Sequence, residues 1–216
     1  MQSERVAWRT LTREDFAHVA KWLADPAVRR WWGGGYGLDR LEAEFGPRID
    51  GDDPTAMFVV EVDGVASGLI QRYRTRDYPE WQETIGLAVP RLARAPTAGM
   101  DYLLGRPQVR RRGVGSALVA SFSRSLLRDW SDVVAIVVAV QQANRRSWRA
   151  LERVGYGRIW AGTLLSQDPS DQGPSYLYSR SRERDEPGYS TVPVPDSPPG
   201  ASQPLEHARR RGPPAG

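Results

Sequence analysis

Apolar residues recur every three or four positions in four segments, a spacing that predicts amphipathic helices. In the first segment Thr12 is the expected N-cap, and the carboxylate of Asp15 lies where the exposed N–H groups of the first turn favour it. The pair Asp25–Pro26 should end that helix, and Gly155 should cap the last one. The predicted helices span 11–25, 38–49, 116–129 and 145–154.

Runs of β-branched and aromatic residues between these helices predict strands. Asp63–Gly64 divides the run 56–73 into a β-hairpin. The run 133–140 is continuously apolar, as expected for a strand buried on both faces. Further strands are predicted at 83–89, 97–105, 156–166 and 175–179. The segment 28–37, "VRRWWGGGYG", is predicted to be a glycine-rich loop.

The order of these elements indicates the fold class. The second half alternates strand and helix, which predicts an α/β fold of three layers around a mixed sheet. From Ser179 onwards the chain is rich in proline and mixed charge and has almost no bulky apolar residues. Such a segment cannot bury enough surface to offset its ordering entropy. We therefore expect a folded domain over 1–178 and a disordered tail over 179–216.

Composition narrows the chemistry and the partners. The chain of 216 residues has no cysteine and only two histidines, His18 and His207, so thiol chemistry is excluded and no metal site is expected. Lys21 is the sole lysine, and the formal net charge is only +4, so nucleic acid is not the expected partner. No window approaches the roughly 18 apolar residues of a membrane span. The first ten residues lack an apolar signal region, so we expect a cytoplasmic protein.

The stretch "RRRGVGS" places arginines at the start of a predicted helix, where the dipole is already positive. This arrangement indicates an anionic ligand. It is neither a Walker A loop, which ends in Gly-Lys-Ser/Thr, nor a dinucleotide fingerprint, which needs a third glycine at Leu118. Glycines let the backbone approach a ligand, and arginines add charge-assisted contacts to phosphate oxygens. A plain turn with a solvated basic face is the alternative. The candidate anion site comprises Arg110, Arg111, Arg112, Gly113, Val114, Gly115 and Ser116.

Two segments carry a family resemblance. "RRRGVGSALV" resembles the Q/R-x-x-G-x-G/A loop of the GNAT acetyltransferases, and "NRRSWRALERVGYGRI" resembles the asparagine-led helix that follows it in that superfamily. "LTREDFAHVAKWLADPAVRRWWGG" and "GMDYLLG" are similar to the aminoglycoside 6'-N-acetyltransferase branch. The resemblance implies a mostly antiparallel central sheet flanked by helices. It also implies acetyl-CoA as co-substrate, held by the loop, by backbone groups of Leu103 and Leu104, and by Asn144. A simple N-cap is the alternative for Asn144.

Acetyl transfer to an amine needs a base. With no cysteine and no suitable histidine, that base must be a carboxylate or an ordered water. Asp101 is the candidate catalytic residue, because partial burial in the strand "AGMDYLLG" would raise its pKa. The resembling branch has its proposed base at this place. The alternative is a structural acid held by backbone N–H groups.

The sequence departs from the family at two positions. Leu151 stands where the superfamily often has a tyrosine general acid, so either another group serves or the thiolate leaves unassisted. Ala139 stands where the aminoglycoside branch has a substrate-binding aspartate. The acceptor site is expected to use aromatic and acidic residues, with local packing and solvation as the alternatives. These residues are Trp31, Trp32, Asp77, Trp81 and Asp101.

Together these features predict an N-acetyltransferase that transfers the acetyl group directly, within a ternary complex, to a small polar amine. A 6'-amine of an aminoglycoside is the first acceptor considered, and a siderophore precursor or another metabolite amine is the second. A coenzyme A-binding module without catalysis, and a nucleic-acid arm in the arginine-containing tail, are the alternatives from other classes. The sequence leaves monomer and homodimer open.

Overall fold

Seven strands form one sheet at the centre of the protein. The structure, a computed structural model, describes residues 5–32, 37–110, 112–164 and 173–182. The strands are β1 Val6–Thr10, β2 Ala56–Val62, β3 Val65–Arg74, β4 Thr97–Leu104, β5 Ala135–Gln141, β6 Gly157–Thr163 and β7 Pro174–Ser181. Their order is β1-β2-β3-β4-β5-β7-β6. Every neighbouring pair is antiparallel except β4–β5, which confirms the expected mixed, mostly antiparallel sheet.

Helices cover both faces of this sheet and complete the predicted three layers. They are α1 Phe16–Ala24, α2 Pro26–Trp32, α3 Leu38–Asp50, α4 Pro79–Ala88, α5 Val114–Asp129 and α6 Arg145–Arg153. We call the side that carries α1 to α4 the front face and the side that carries α5 and α6 the back face. Within the described ranges, none of the helices is long and apolar enough to cross a membrane.

Each face has its own buried core. On the back face Phe122 of α5 packs edge-on against Trp8 and Phe58, with ring centroids 5.2 and 5.6 Å away. On the front face Leu103 of β4 is buried with side chains of α1 and α3. Alternate residues of a strand point to opposite faces, so Met100 of β4 belongs to the back core. This alternation also places Asp101 on the front face.

Two local predictions are confirmed at the residue level. The Asp15 carboxylate accepts hydrogen bonds from the Thr12 N–H and hydroxyl, at 3.0 and 3.1 Å, just before α1. In the β2–β3 turn, Asp63 and Gly64 have φ values of 52° and 76°, the left-handed geometry that a tight two-residue hairpin turn requires.

The predicted strand at 83–89 is wrong, because this segment belongs mostly to helix α4. Pro79 lies in the first turn, where its missing N–H leaves no helical hydrogen bond unmade. Trp81, Ile85 and Ala88 then fall on one side and pack into a single apolar cluster. The short apolar run taken alone hid this helical spacing, which becomes visible only when Trp81 is included.

The predicted loop at 28–37 is also corrected. Trp31 and Trp32 form the end of helix α2, which begins at Pro26 directly after α1 ends. Pro26 therefore ends one helix and occupies the first position of the next, as its fixed φ allows. The glycines and tyrosine of this segment, residues 33–36, lie outside the described residues.

Strand β7 continues through Ser181, so ordered structure passes the predicted domain boundary at 178. The last two residues of β7 pair with the beginning of β5, as shown by Arg180↔Ile136 and Ser181↔Ala135. The segment that composition predicts to be a tail lies outside the described residues from 183 onwards.

Candidate active site

Strands β4 and β5 separate soon after they pair. Their parallel register covers only Thr97↔Ala135, Ala98↔Ile136 and Gly99↔Val137, although β4 continues to Leu104 and β5 to Gln141. The carboxyl-terminal half of β4 therefore pairs with β3 on one side and faces an opening on the β5 side. Helix α5 begins near the end of this opening, and Asn144 at the start of α6 lies just beyond the end of β5.

The predicted anion loop leads directly into helix α5. Gly113 has φ = 84°, a left-handed geometry, and is the residue before the first helical turn. A Cβ at Gly113 would have no atom within 4 Å, whereas one at Gly115 would lie 3.8 Å from Leu104 and 4.0 Å from Tyr102. Val114 is buried and anchors the turn. The first N–H groups of this 16-residue helix lack intrahelical partners, an arrangement that favours an anion.

The side chain of Arg110 does not take the phosphate-binding position that the sequence suggested. Its Nε donates to the Leu104 carbonyl at 2.8 Å, and its Nη2 donates to the Gly105 carbonyl at 2.5 Å and to Asp25 Oδ2 at 2.7 Å. Arg110 therefore ties the loop to the end of β4 and to the α1–α2 junction. Spacing alone could not separate this role from phosphate binding, because the acceptors lie far away in the sequence.

Of the two other arginines of the loop, Arg111 and Arg112, the structure describes only Arg112. Arg112 is exposed and lies next to Gly113 in the chain. Arg111 lies outside the described residues. Ser116, in the first turn of α5, accepts a hydrogen bond from Arg153 of α6 at 3.4 Å. Arg153 thus joins the loop, and the sequence analysis missed it because the contact connects two helices.

The backbone of β4 has one side on β3 and the other on the opening. The Gly105 N–H donates to the Ser67 carbonyl of β3 at 2.8 Å, and a Cβ on Gly68 would lie 2.1 Å from the Leu103 carbonyl oxygen. Main-chain groups of alternate residues face the same neighbour. Leu103 therefore bonds towards β3, and Leu104 is the leucine whose backbone faces the opening. The expectation that Leu103 offers its backbone to a coenzyme is corrected accordingly.

Asn144 and Tyr102 lie on the two sides of the opening. The Asn144 Oδ1 accepts from the Ser147 N–H at 3.3 Å, which is the N-cap contact of α6. The Tyr102 hydroxyl of β4 lies 3.2 Å from Ser147 Oγ. Burial raises the pKa of Tyr102, so this hydroxyl keeps its proton at neutral pH. The sequence analysis did not single out Tyr102, because only the fold brings β4 next to α6.

Asp101 is half-buried on the front face, opposite Gln71 of β3 in the antiparallel register. Gln71 Nε2 donates to Asp101 Oδ2 at 2.9 Å. On the same face Tyr73 covers Gly99, since a Cβ there would lie 2.3 Å from the Tyr73 ring. Tyr78 meets Tyr73 edge-on with 5.3 Å between the ring centroids. Gln71 and Tyr73 were not predicted from the sequence, since only strand register places them opposite Asp101 and Gly99.

The predicted acceptor residues occupy different surroundings. Trp32 packs against the front core that contains Leu103, which lies on the same face as Asp101. Trp31 stacks with Arg30, whose guanidinium carbon is 4.3 Å from the ring centroid. Trp81 packs in the cluster that contains Ala139, and its buried indole Nε1 has no hydrogen-bond partner among the residues that the structure describes. Asp77 is an exposed acid whose Oδ1 lies 4.0 Å from Arg76 Nε.

The two departures from the family pattern occupy apolar surroundings. Leu151 is fully buried in the back core. Ala139 of β5 packs in the front cluster with Trp81 and Trp160. Among the described residues no group of three or more His, Asp or Glu side chains lies close enough to hold a metal ion.

The candidate site thus combines a glycine loop at a helix start, two parallel strands that separate beside it, and a carboxylate on the front face. The model of the acetyltransferase (GNAT) domain matches residues 12–163, which is most of the chain. The protein therefore belongs to the GNAT acetyltransferase family. This membership confirms the prediction of an acetyltransferase that uses acetyl-CoA.

Solved structures share the fold. A structure of AAC(6')-Ib in complex with paromomycin and acetyl-CoA matches with a TM-score of 0.71 and 23% identity, over 87% of this chain and 99% of that one. An aminoglycoside N(6')acetyltransferase from Legionella pneumophila matches with a TM-score of 0.63 and 14% identity, over 85% and 96%. An uncharacterised protein from Bacillus halodurans matches with a TM-score of 0.70 and 15% identity, over 83% and 86%. At these identities the likeness concerns the fold.

Proposed function

We propose that this acetyltransferase moves the acetyl group of acetyl-CoA directly to a primary amine of a small polar acceptor, with Asp101 as the base. The position of Asp101 in strand β4 is the observation that supports this proposal most strongly. Asp101 lies on the front face only two residues beyond Gly99, where β4 leaves β5. A thioester in the opening and an amine on the front face would meet at this point of the strand.

The coenzyme would be held by this chain's backbone more than by its arginines. The N–H groups that follow Gly113 face the diphosphate, and Arg112 adds positive charge. The outward backbone of β4 near Tyr102 and Leu104 offers hydrogen bonds to the extended arm of the coenzyme. Arg110 holds the end of β4 in place through the Leu104 carbonyl.

In the reaction the amine nitrogen attacks the thioester carbonyl carbon. The C–N bond forms, the C–S bond breaks, and the coenzyme leaves as its thiolate. The proton lost by the amine passes to the Asp101 carboxylate. Leu151 cannot donate a proton to the thiolate, so no residue is assigned to that step.

A 6'-amine of an aminoglycoside is the first acceptor to consider. The similar structures include AAC(6')-Ib with paromomycin and an aminoglycoside N(6')acetyltransferase, and the front face of this chain carries both the Asp101 carboxylate and the Tyr73 ring, which Tyr78 meets edge-on. A carboxylate attracts an ammonium group, and aromatic rings pack against a sugar face. Trp31 and Trp32 on α2 are proposed to extend this aromatic wall.

A second acceptor class is favoured by a different observation. Ala139, Trp81 and Trp160 make the β5 side of the front face apolar, where the aminoglycoside branch places an aspartate. A metabolite amine with an apolar portion, such as a siderophore precursor, suits this wall better than a polycation does. The two classes differ in charge, so a panel of amines separates them.

The test of the base is Asp101→Asn. We expect this variant to lose at least about 100-fold in kcat and to keep the affinity for acetyl-CoA, measured by calorimetry. Asp63→Asn is the matched control, because its turn position at φ = 52° accepts asparagine and its carboxylate accepts the Arg5 N–H, a bond that asparagine Oδ1 can keep. If Asp101→Asn turns over at the rate of the control, Asp101 is not the base.

A further inference from the structure

Gln71 and Asp101 are linked by more than their position in the sheet. They are directly opposite each other in the β3–β4 register, and Gln71 Nε2 lies 2.9 Å from Asp101 Oδ2. Both side chains are half-buried on the front face. An amide donor aimed at one carboxylate oxygen restricts the rotation of that carboxylate. It also stabilises its ionised form, which is the form that accepts a proton.

The orientation of the Gln71 amide is set by Arg48 of α3. Arg48 Nη1 donates to Gln71 Oε1 at 3.3 Å. A guanidinium can only donate, and an ionised carboxylate can only accept. The amide therefore satisfies both neighbours in one orientation, with its oxygen towards Arg48 and its nitrogen towards Asp101.

Arg48 is itself held in place from several sides. Its Nε lies 3.7 Å from Asp53 Oδ2, and its guanidinium carbon lies 5.4 Å from the Phe45 ring centroid. Asp53 in turn accepts hydrogen bonds from the Thr55 N–H and the Tyr78 hydroxyl, both at 2.8 Å. Burial opposes ionisation of Asp53, but these hydrogen bonds and the Arg48 charge keep its pKa below the usual range.

We propose that Gln71 is the positioning residue for Asp101, and that Arg48 fixes the Gln71 amide so that it always presents a donor to that carboxylate. The inference rests on the proposed role of Asp101 as the base. Gln71 does not exchange a proton with the acceptor. It acts through Asp101, by fixing the direction of the carboxylate and favouring its charged form.

The first test needs no acceptor. Protein labelled with 13C at the aspartate carboxyl carbons is titrated by NMR, and the Asp101 signal is assigned as the one missing from Asp101→Asn. In Gln71→Leu we expect the titration midpoint of Asp101 to lie about one pH unit higher than in the unsubstituted protein. In Gln71→Glu, which keeps the shape and adds a negative charge, we expect a larger upward shift.

The control is Gln82→Leu. Gln82 donates to the carbonyls of Leu92 and Ala93 at 3.0 Å, so its loss costs hydrogen bonds of similar number without touching Asp101. We expect a lower melting temperature in this variant and an unchanged Asp101 midpoint. If Gln71→Leu does not fold, the nearly isosteric Gln71→Glu carries the test. An Asp101 midpoint equal to that of the unsubstituted protein in the folded Gln71 variants overturns the proposal.

The second test uses the amine that gives the fastest thiol release from acetyl-CoA. When kcat is plotted against pH, the acid limb should move to higher pH in Gln71→Leu, as the NMR midpoint of Asp101 does. The KM for acetyl-CoA should stay the same. If Asp101→Asn is fully active, the proposed base is wrong whatever Gln71 does. If Asp101→Asn is inactive and Gln71→Leu keeps the original pH profile, only the positioning role is wrong.

Discussion

The Arg110 guanidinium and the Asp25 carboxylate join the predicted anion loop to the start of helix α2. Arg110 Nη2 lies 2.7 Å from Asp25 Oδ2, while Asp25 Oδ1 accepts the Ala27 N–H at 2.9 Å. The Ala27 N–H, and then Arg110, lower the pKa of Asp25. Because α2 ends at Trp31 and Trp32, one ion pair connects the coenzyme side of the protein with the proposed aromatic wall.

The first prediction separates the roles of two arginines. Arg110→Gln should lower the free energy of unfolding by roughly 2–3 kcal/mol, since it leaves Asp25 and the β4 carbonyls without their donor. Arg112→Gln should weaken acetyl-CoA binding about tenfold. Urea unfolding and calorimetry measure the two effects. The reverse pattern, with Arg110→Gln stable and weakly binding, would contradict the contacts of Arg110.

The second prediction concerns Gly113. Gly113→Ala meets no atom within 4 Å and costs only the strain of φ = 84°, about 1 kcal/mol, with coenzyme binding largely kept. Gly113→Glu adds a negative charge where the diphosphate should lie and is expected to abolish acetyl-CoA binding by calorimetry. Equal affinity for acetyl-CoA in Gly113→Glu and Gly113→Ala would show that the diphosphate does not bind at this loop.

The third prediction uses the contact between Gly99 and Tyr73. Gly99→Ala places a Cβ 2.3 Å from the Tyr73 ring, so the ring must move away from the front face. We expect lower stability and a lower kcat/KM for the acceptor, with unchanged affinity for acetyl-CoA.

The double variant Gly99→Ala with Tyr73→Ala removes the clash and supplies the control for that prediction. Its stability loss should be smaller than the sum of the two single losses, as coupled neighbours require. Additive losses would show that the ring does not lie over Gly99.

The fourth prediction is a pH dependence at Asp15. Arg9 donates to both Asp15 oxygens at 2.7 and 2.8 Å. This hydrogen bonding, opposed by burial and assisted by the Thr12 N–H, lowers the pKa of Asp15. Because the pKa of Asp15 is lower in the folded protein than in the unfolded chain, the ionised carboxylate stabilises the fold at pH values above its unfolded pKa of about 4. This stabilisation is lost as the pH falls through the folded pKa.

Asp15→Ala should therefore cost about 1–2 kcal/mol at pH 7 and show a shallower loss of stability below about pH 4. Urea unfolding between pH 7 and pH 3 measures both effects. The exposed Glu14→Gln is the control and should follow the unsubstituted protein. An Asp15→Ala curve parallel to that of the unsubstituted protein would contradict the role of the Arg9 contact.

The sequence predicted what depends on local spacing. The α5 and α6 helices, the Asp63–Gly64 hairpin and the Thr12–Asp15 cap were all predicted, because each depends on residues a few positions apart. The α4 helix was missed, since its apolar spacing is visible only when Trp81 is counted together with Ile85.

The parts of the site that the sequence did not predict depend on strand register and long-range contacts. Asp101 was proposed from its strand alone, but Gln71 was not, because nothing in the sequence of either strand indicates that the two residues pair. Arg110 was expected at the phosphates, and its partner Asp25 lies 85 positions away. No local pattern encodes such a contact.

Thiol release from acetyl-CoA by the purified protein is the measurement that tests acetyl transfer to a primary amine. The acceptors are a 6'-amino aminoglycoside, its 6'-hydroxy analogue, polyamines, siderophore precursors and amino acids. We expect thiol release with at least one primary amine, and loss of that thiol release in Asp101→Asn. Release with the 6'-amino compound alone would support the aminoglycoside acceptor. If the protein binds acetyl-CoA but no amine raises thiol release above the rate of hydrolysis, the proposed acetyl transfer to an amine is wrong.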